Sequence, residues 1–97
     1  MRSIRWNRLA KLDYYENIDY LLNKWTEKEA QKFIDEVYEI EFILKNKIVD
    51  FQKTDFKDVH RCVINKHISL FYRILDDNSI EFLRFWNNLK NDKDLKL

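Results

Sequence analysis

The sequence predicts an α+β fold, β-α-α-β-β-β, with a helical hairpin packed on one face of a small antiparallel sheet. Three observations carry this. The stretch His60 to Trp86 is filled with β-branched and aromatic residues and is broken only at Asn65-Lys66 and at Asp76-Asp77-Asn78. That is the pattern of three strands joined by two tight turns. Upstream, apolar residues recur at helical spacing through two successive segments between about Arg8 and Leu44. Between those segments lies Thr26-Glu27-Lys28-Glu29, a capping box that stops one helix and starts the next with almost no connection.

Ser3-Ile4-Arg5-Trp6 alternates, with Ile4 and Trp6 on one side, and reads as a short first strand. From about Arg8 to Lys24 the apolar stripe is Leu12, Tyr15, Ile18, Leu22 and Trp25, widened by Tyr14 and Leu21. The second helix carries Ala30, Phe33, Val37, Ile40 and Leu44, with Ile34 beside them. Glu27, Asp35, Glu36, Glu39 and Glu41 lie off that stripe and form a solvated face. Lys45 to Asp58 is a polar connection without strand alternation, pinned to the core by Phe51 and Phe56. The segment 87–97 is a charged tail.

Strand register follows from two-residue turns at Asn65-Lys66 and Asp77-Asn78. The chain contains no glycine; Asn and Asp tolerate the left-handed backbone that such turns use. Val63 then faces Ile68, Arg61 faces Leu70, Tyr72 faces Leu83 and Leu70 faces Phe85. One sheet face collects Val63, Ile68, Leu70, Tyr72, Ile74, Leu83 and Phe85, and the helices cover it. The other collects His60, Cys62, His67, Ser69, Phe71, Arg73, Phe82, Arg84 and Trp86. With no element left to cover this second face, Phe71, Phe82 and Trp86 stand exposed in a row, as at a partner site.

The totals narrow the function. A chain of 97 residues with 45% hydrophobic content makes one domain, 1–97, with a modest core. A net charge of +1 gives no general pull toward nucleic acid. The single cysteine, Cys62, permits no internal disulfide and fits a reducing compartment; in a strand it reads as a small buried hydrophobe. No apolar run serves as a signal peptide or reaches membrane-spanning length, so a cytoplasmic protein without a membrane partner is expected. No metal-ligand cluster and no cofactor motif is present.

His60 and His67 are the natural acid and base candidates for metal-free RNA cleavage, with Arg73 and Arg84 as phosphate-binding cations. At about 3.4 Å per residue the two histidines stand on the order of 10 Å or more apart, too far to flank one phosphate. Arg73 and Arg84, interleaved with Phe71, Phe82 and Trp86, suit either single-stranded RNA or an acidic, apolar peptide. The small local excess of positive charge favours the peptide.

Several residues give the chain a family likeness: Trp6 followed by Ala10 and Asp13; Ile18-Asp19-Tyr20-Leu21; Trp25-Thr26 with Ala30 and Phe33; His67; Leu70-Phe71-Tyr72-Arg73-Ile74; and Ile80-Glu81-Phe82-Leu83-Arg84-Phe85-Trp86. Across about residues 4–90 the chain resembles the RelE/ParE toxins of bacterial type II toxin–antitoxin modules. The resemblance implies the β-α-α-β-β-β fold, growth inhibition, and neutralisation by a cognate antitoxin that wraps the toxin in an oligomeric complex. It implies one of two targets: DNA gyrase, inhibited by ParE-like members, or mRNA on the ribosome, cut by RelE-like members. RelE-like nucleases carry an Arg on the middle strand and a Tyr or His-Tyr near the C-terminus. Here Ser69 takes the strand position and no Tyr or His follows Trp86. ParE-like members often carry Arg-Gln-Asn/Asp-Pro after the last strand; the matching run is Leu89-Lys90-Asn91-Asp92, without the Arg or the Pro. The expected function is ParE-like inhibition by binding, with an mRNA interferase or a degenerate interaction module as the alternatives.

Overall fold

A computed structural model describes all 97 residues. The elements are β1 (Ser3–Trp6), α1 (Arg8–Lys24), α2 (Glu27–Lys45), β2 (Gln52–Lys53), β3 (Val59–Val63), β4 (Ile68–Asp76) and β5 (Ser79–Asn87), followed by a short 3-10 turn at Asp92–Asp94. The five strands form one sheet in the order β1-β5-β4-β3-β2. The helical hairpin lies on one face, as the sequence predicts. The sheet is mixed, because β1 runs parallel to β5. The short strand β2, which the sequence reading leaves as loop, accounts for this. With it, five elements separate β1 from β5, and if each reverses the chain the two strands run the same way.

Both helices start on polar caps. The Asn7 side chain accepts the Ala10 amide at 2.8 Å, and the Thr26 hydroxyl accepts the Glu29 amide at 3.2 Å. In α2 the expected residues turn inward: Ala30, Phe33, Val37 and Leu44 are buried and Ile40 packs beside them. In α1 the stripe is rotated. Ala10, Tyr14, Ile18 and Leu21 face the sheet, whereas Leu12, Tyr15, Leu22 and Trp25 are exposed. The physical reason is polar. Beyond Trp6, strand β1 no longer pairs with β5, and the Asp13 carboxylate takes over by accepting the Phe85 amide at 3.1 Å. That bond turns the Ala10–Tyr14 side of the helix onto the sheet.

The register departs from the two-residue-turn expectation in two places. Between β3 and β4 the connection spans residues 64–67 and Val63 pairs with Ser69, not Ile68. Asn65 closes this loop with its side-chain oxygen, which accepts the amides of His67 and Ile68 at 2.8 and 3.0 Å. A slip of one residue turns β3 over. Cys62 and His60 therefore face the helices, and Val63, expected in the core, is 59% exposed. Between β4 and β5 the turn does lie at Asp77-Asn78, and Leu70 does face Phe85. Two irregularities that cancel lie between these points, one between Ile74 and Asp76 and one between Phe71 and Tyr72. Within them Tyr72 pairs with Phe82, and Leu83 is the extra residue. Phe82 thus enters the helix-side core, fully buried, while Leu83 goes to the opposite face. Of the two loop phenylalanines, Phe51 packs on the core and its amide donates to the Tyr72 hydroxyl at 2.9 Å, but Phe56 is exposed.

The helix-side core gathers Ala10, Phe33, Val37, Leu44, Cys62, Ile68, Leu70, Tyr72, Ile80, Phe82 and Phe85. No helix is long and apolar enough to cross a membrane.

Candidate functional site

The outer face of the sheet, away from the helices, is not open. Val59, Phe71, Leu83 and Trp86 form a second cluster on it, closed by Leu95 from the C-terminal tail. The expectation of a bare aromatic row is overturned: Phe71 and Trp86 are only 3% and 4% exposed, and Phe82 is on the other side. The tail reaches this position because Asn88 anchors its start. The Asn88 amide nitrogen donates to the carbonyls of Asn65 and Lys66 at 3.3 and 3.2 Å. Its side-chain oxygen accepts from the Ser69 hydroxyl at 2.6 Å and from the Arg61 guanidinium at 3.0 Å. Arg61 also donates to Ser69 at 3.1 Å and lies over the Phe71 ring at 5.6 Å.

The cations on and beside this face differ in freedom. Arg84 lies over the Trp86 ring at 5.1 Å but donates twice to Asp13, at 2.7 and 3.0 Å. Hydrogen bonding to Asp13 holds its pKa above the ordinary value, against the opposing effect of burial. Arg84 is thus a structural partner of α1 rather than a free phosphate ligand. Arg73 stands in register between Val59 and Glu81 and is partly exposed. The only ion pairs are Arg84–Asp13 and Arg2–Asp50, so Arg61, Arg73 and Lys90 have no carboxylate at ion-pair distance.

Neither histidine belongs to this face. His60 is buried on the helix side and stacks on Tyr72 at 5.3 Å, with the rings 17° from parallel. His67 is exposed in the β3–β4 loop. Of the residues expected to cooperate, the fold brings together Phe71, Arg73, Arg84 and Trp86, and leaves out His60, His67 and Phe82. The sequence reading missed Arg61, Ser69, Asn88 and Leu95 as a linked set. An Arg and a Ser on adjacent strands followed by an Asn after the last strand is a weak signal, visible only once the register is known. Cys62 is inert: burial alone pushes its thiol up to about 12. Burial likewise carries the Tyr72 hydroxyl up to about 12, although its bond with the Phe51 amide works the other way. No three side chains among His, Cys, Asp and Glu come together as a metal site.

A family description, the ParE toxin of the type II toxin–antitoxin system parDE, matches residues 4–91. This chain belongs to the ParE toxin family. No curated protein matches it. Among solved structures, one described as the chromosomal ParDE toxin–antitoxin system of P. aeruginosa superposes with a TM-score of 0.72 at 19% identity, covering 90% of this chain and 96% of that one. A copper-bound mutant toxin from Helicobacter pylori gives 0.64 at 20% identity, with 91% and 96% covered. A chain of the E. coli DinJ–YafQ complex gives 0.61 at 12% identity, with 90% and 93% covered. At such identities these likenesses show the fold. ParE family membership makes the chain a toxin of a type II toxin–antitoxin system.

The helical hairpin of this ParE family toxin also exposes large apolar side chains, Leu12, Tyr15 and Leu22 of α1 and Tyr38 and Phe42 of α2, Tyr38 by 73%.

Proposed function

We propose that this toxin acts by binding, as a ParE-like inhibitor of DNA gyrase, and that a cognate antitoxin neutralises it. The observation that carries the proposal is the failure of catalytic groups to converge. Cleavage of RNA without a metal needs a base for the 2′-hydroxyl, an acid for the leaving oxygen and free cations around one phosphate. His60 stacks inside the helix-side core, His67 sits in a loop, and Arg84 is committed to Asp13. The match to the ParE family description supports the gyrase side of the family, and the exposed apolar residues of the hairpin suit a chain that spends its life covered by an antitoxin.

Induction of the chain alone in a bacterial host tests this. Growth arrest with DNA-damage signalling, and accumulation of cleaved DNA by purified gyrase in the presence of the toxin, is the expected result. Codon-specific cuts in translated mRNA, read by primer extension, would instead make the chain an mRNA interferase. Normal growth on strong induction would make it a degenerate binding module.

A further inference from the structure

We propose that the C-terminal tail is a self-occupant of a peptide groove on the outer sheet face, and that an acidic, leucine-bearing segment of a protein partner binds there by displacing Leu95. This rests on the toxin's having a protein partner, not on which target it inhibits.

Three observations converge on the groove. Beyond the Asn88 anchor, a single apolar side chain seats the tail: Leu95 is buried, while Leu89 to Asp94, Lys96 and Leu97 are exposed, the Lys90 ammonium resting over the Trp86 ring. One leucine holding so long a segment is a weak closure, because each ordered residue opposes it. The floor is also left incompletely satisfied. The Trp86 indole nitrogen is buried without a hydrogen-bond acceptor, and a buried unpaired donor is unfavourable. A ligand that brings a carboxylate or carbonyl to this nitrogen has an advantage the tail lacks. Finally, the surroundings select for acid. Lys90, which has no carboxylate at ion-pair distance, lies over the Trp86 ring at 5.2 Å. Beside Leu95 a cleft of about 320 Å³ runs past Lys53, Arg61 and Phe71, with Asp55 the one carboxylate on its wall outside the tail. The tail itself enters this cleft with Asp92, and sets Asp92 and Asp94 next to the one leucine it buries. The tail is thus a local template for the ligand: an aliphatic side chain in the pocket and a carboxylate, that of Asp92, in the cleft that Lys53 and Arg61 line.

The competition fixes the test. The groove's apparent affinity is reduced by the fraction of time that the tail occupies it. The probe is a synthetic peptide with one leucine between runs of aspartate, titrated into the full-length chain labelled with ¹⁵N. The readout is the Trp86 indole resonance, identified by its loss in Trp86→Phe. The peptide should shift this resonance, and Leu95→Ala should tighten binding roughly tenfold by releasing the groove. Lys90→Glu changes an exposed side chain and should weaken binding about fivefold or more; it serves as the second variant if Leu95→Ala fails to fold. An indole resonance that the peptide leaves unmoved overturns the groove. Equal affinity in the parent and Leu95→Ala overturns the self-occupancy, and equal affinity in the parent and Lys90→Glu overturns the selection for acid. A stronger response to oligouridylate than to the peptide would make the face an RNA surface. These outcomes are independent of whether gyrase is inhibited, so failure here and failure of the gyrase reading are distinguishable.

Discussion

The two faces of the sheet are built from similar residues and closed in different ways. On one, two helices lay down Ala10, Phe33, Val37 and Leu44 against seven strand residues. On the other, Leu95 alone closes Val59, Phe71, Leu83 and Trp86. The aromatic network of Trp6, Tyr14, Phe33, Phe82 and Phe85, with ring centroids 5.0 to 6.2 Å apart, belongs wholly to the first. The first face holds the fold together. The second is a surface that the tail holds shut with one apolar side chain. The difference shows that burial in an isolated chain does not by itself mark a residue as core: what matters is how much structure must move to uncover it.

Phe82→Ala on the helix side should cost about 3–5 kcal/mol, because the rings of Trp6 and Phe85 packed on it cannot fill the cavity it leaves. A loss in urea denaturation no greater than that of an outer-face substitution would break the distinction between the faces. Arg84→Glu should cost about 3 kcal/mol or more, since it puts a second carboxylate against Asp13 in a mostly buried pair. The sequence alone predicts the opposite, a neutral change on an exposed surface, so an unchanged denaturation midpoint would restore that view. Leu95→Ala should cost about 2 kcal/mol, at the low end for a buried leucine, because the tail lifts off instead of leaving a cavity. Protection of the β4 and β5 amides in hydrogen exchange should survive it. Thr26→Ala removes the α2 cap and should lower stability by about 1 kcal/mol, which a denaturation midpoint equal to the parent's would refute.

The smallest effect is one of pH. Arg2 donates to Asp50 at 2.7 and 3.2 Å and ties the start of β1 to the loop before β2. The hydrogen bond from Arg2 holds the Asp50 carboxyl below its ordinary value, which is about 3.9 in an unfolded chain. A carboxyl lowered on folding contributes stability that is present above the unfolded value and is lost as pH falls through the folded one. The stability difference between the parent and Asp50→Asn should therefore hold steady from neutral pH to about 4 and close on further acidification. Asp50 is 39% exposed, so solvent screening keeps the difference small. A difference independent of pH down to full protonation would show that the pair contributes nothing.

Much of this was legible in the sequence. The two helices, their boundary at Thr26 and the inner stripe of α2 follow from period and capping, which are local. The Leu70–Phe85 pairing and the turn at Asp77-Asn78 follow from the length of the polar break. The register of β3 did not follow, because Asn65 closes a longer loop with its side chain instead of a two-residue turn. Phe82 and Leu83 exchanged faces through a bulge that no residue pattern announces. The Leu12–Trp25 stripe of α1 read as core because that helix is apolar on two sides, and only Asp13 decides between them.

From the sequence alone come both helices, the four longer strands, and the toxin family to which that order of elements belongs. Those are properties of neighbours along the chain, where backbone preference and hydrophobic period act directly. Only the tertiary structure decided which side of each element is inside, that His60 and His67 stand apart, and that Leu95 closes the outer face. Those depend on contacts between residues tens of positions apart, and a one-residue change in strand register inverts them.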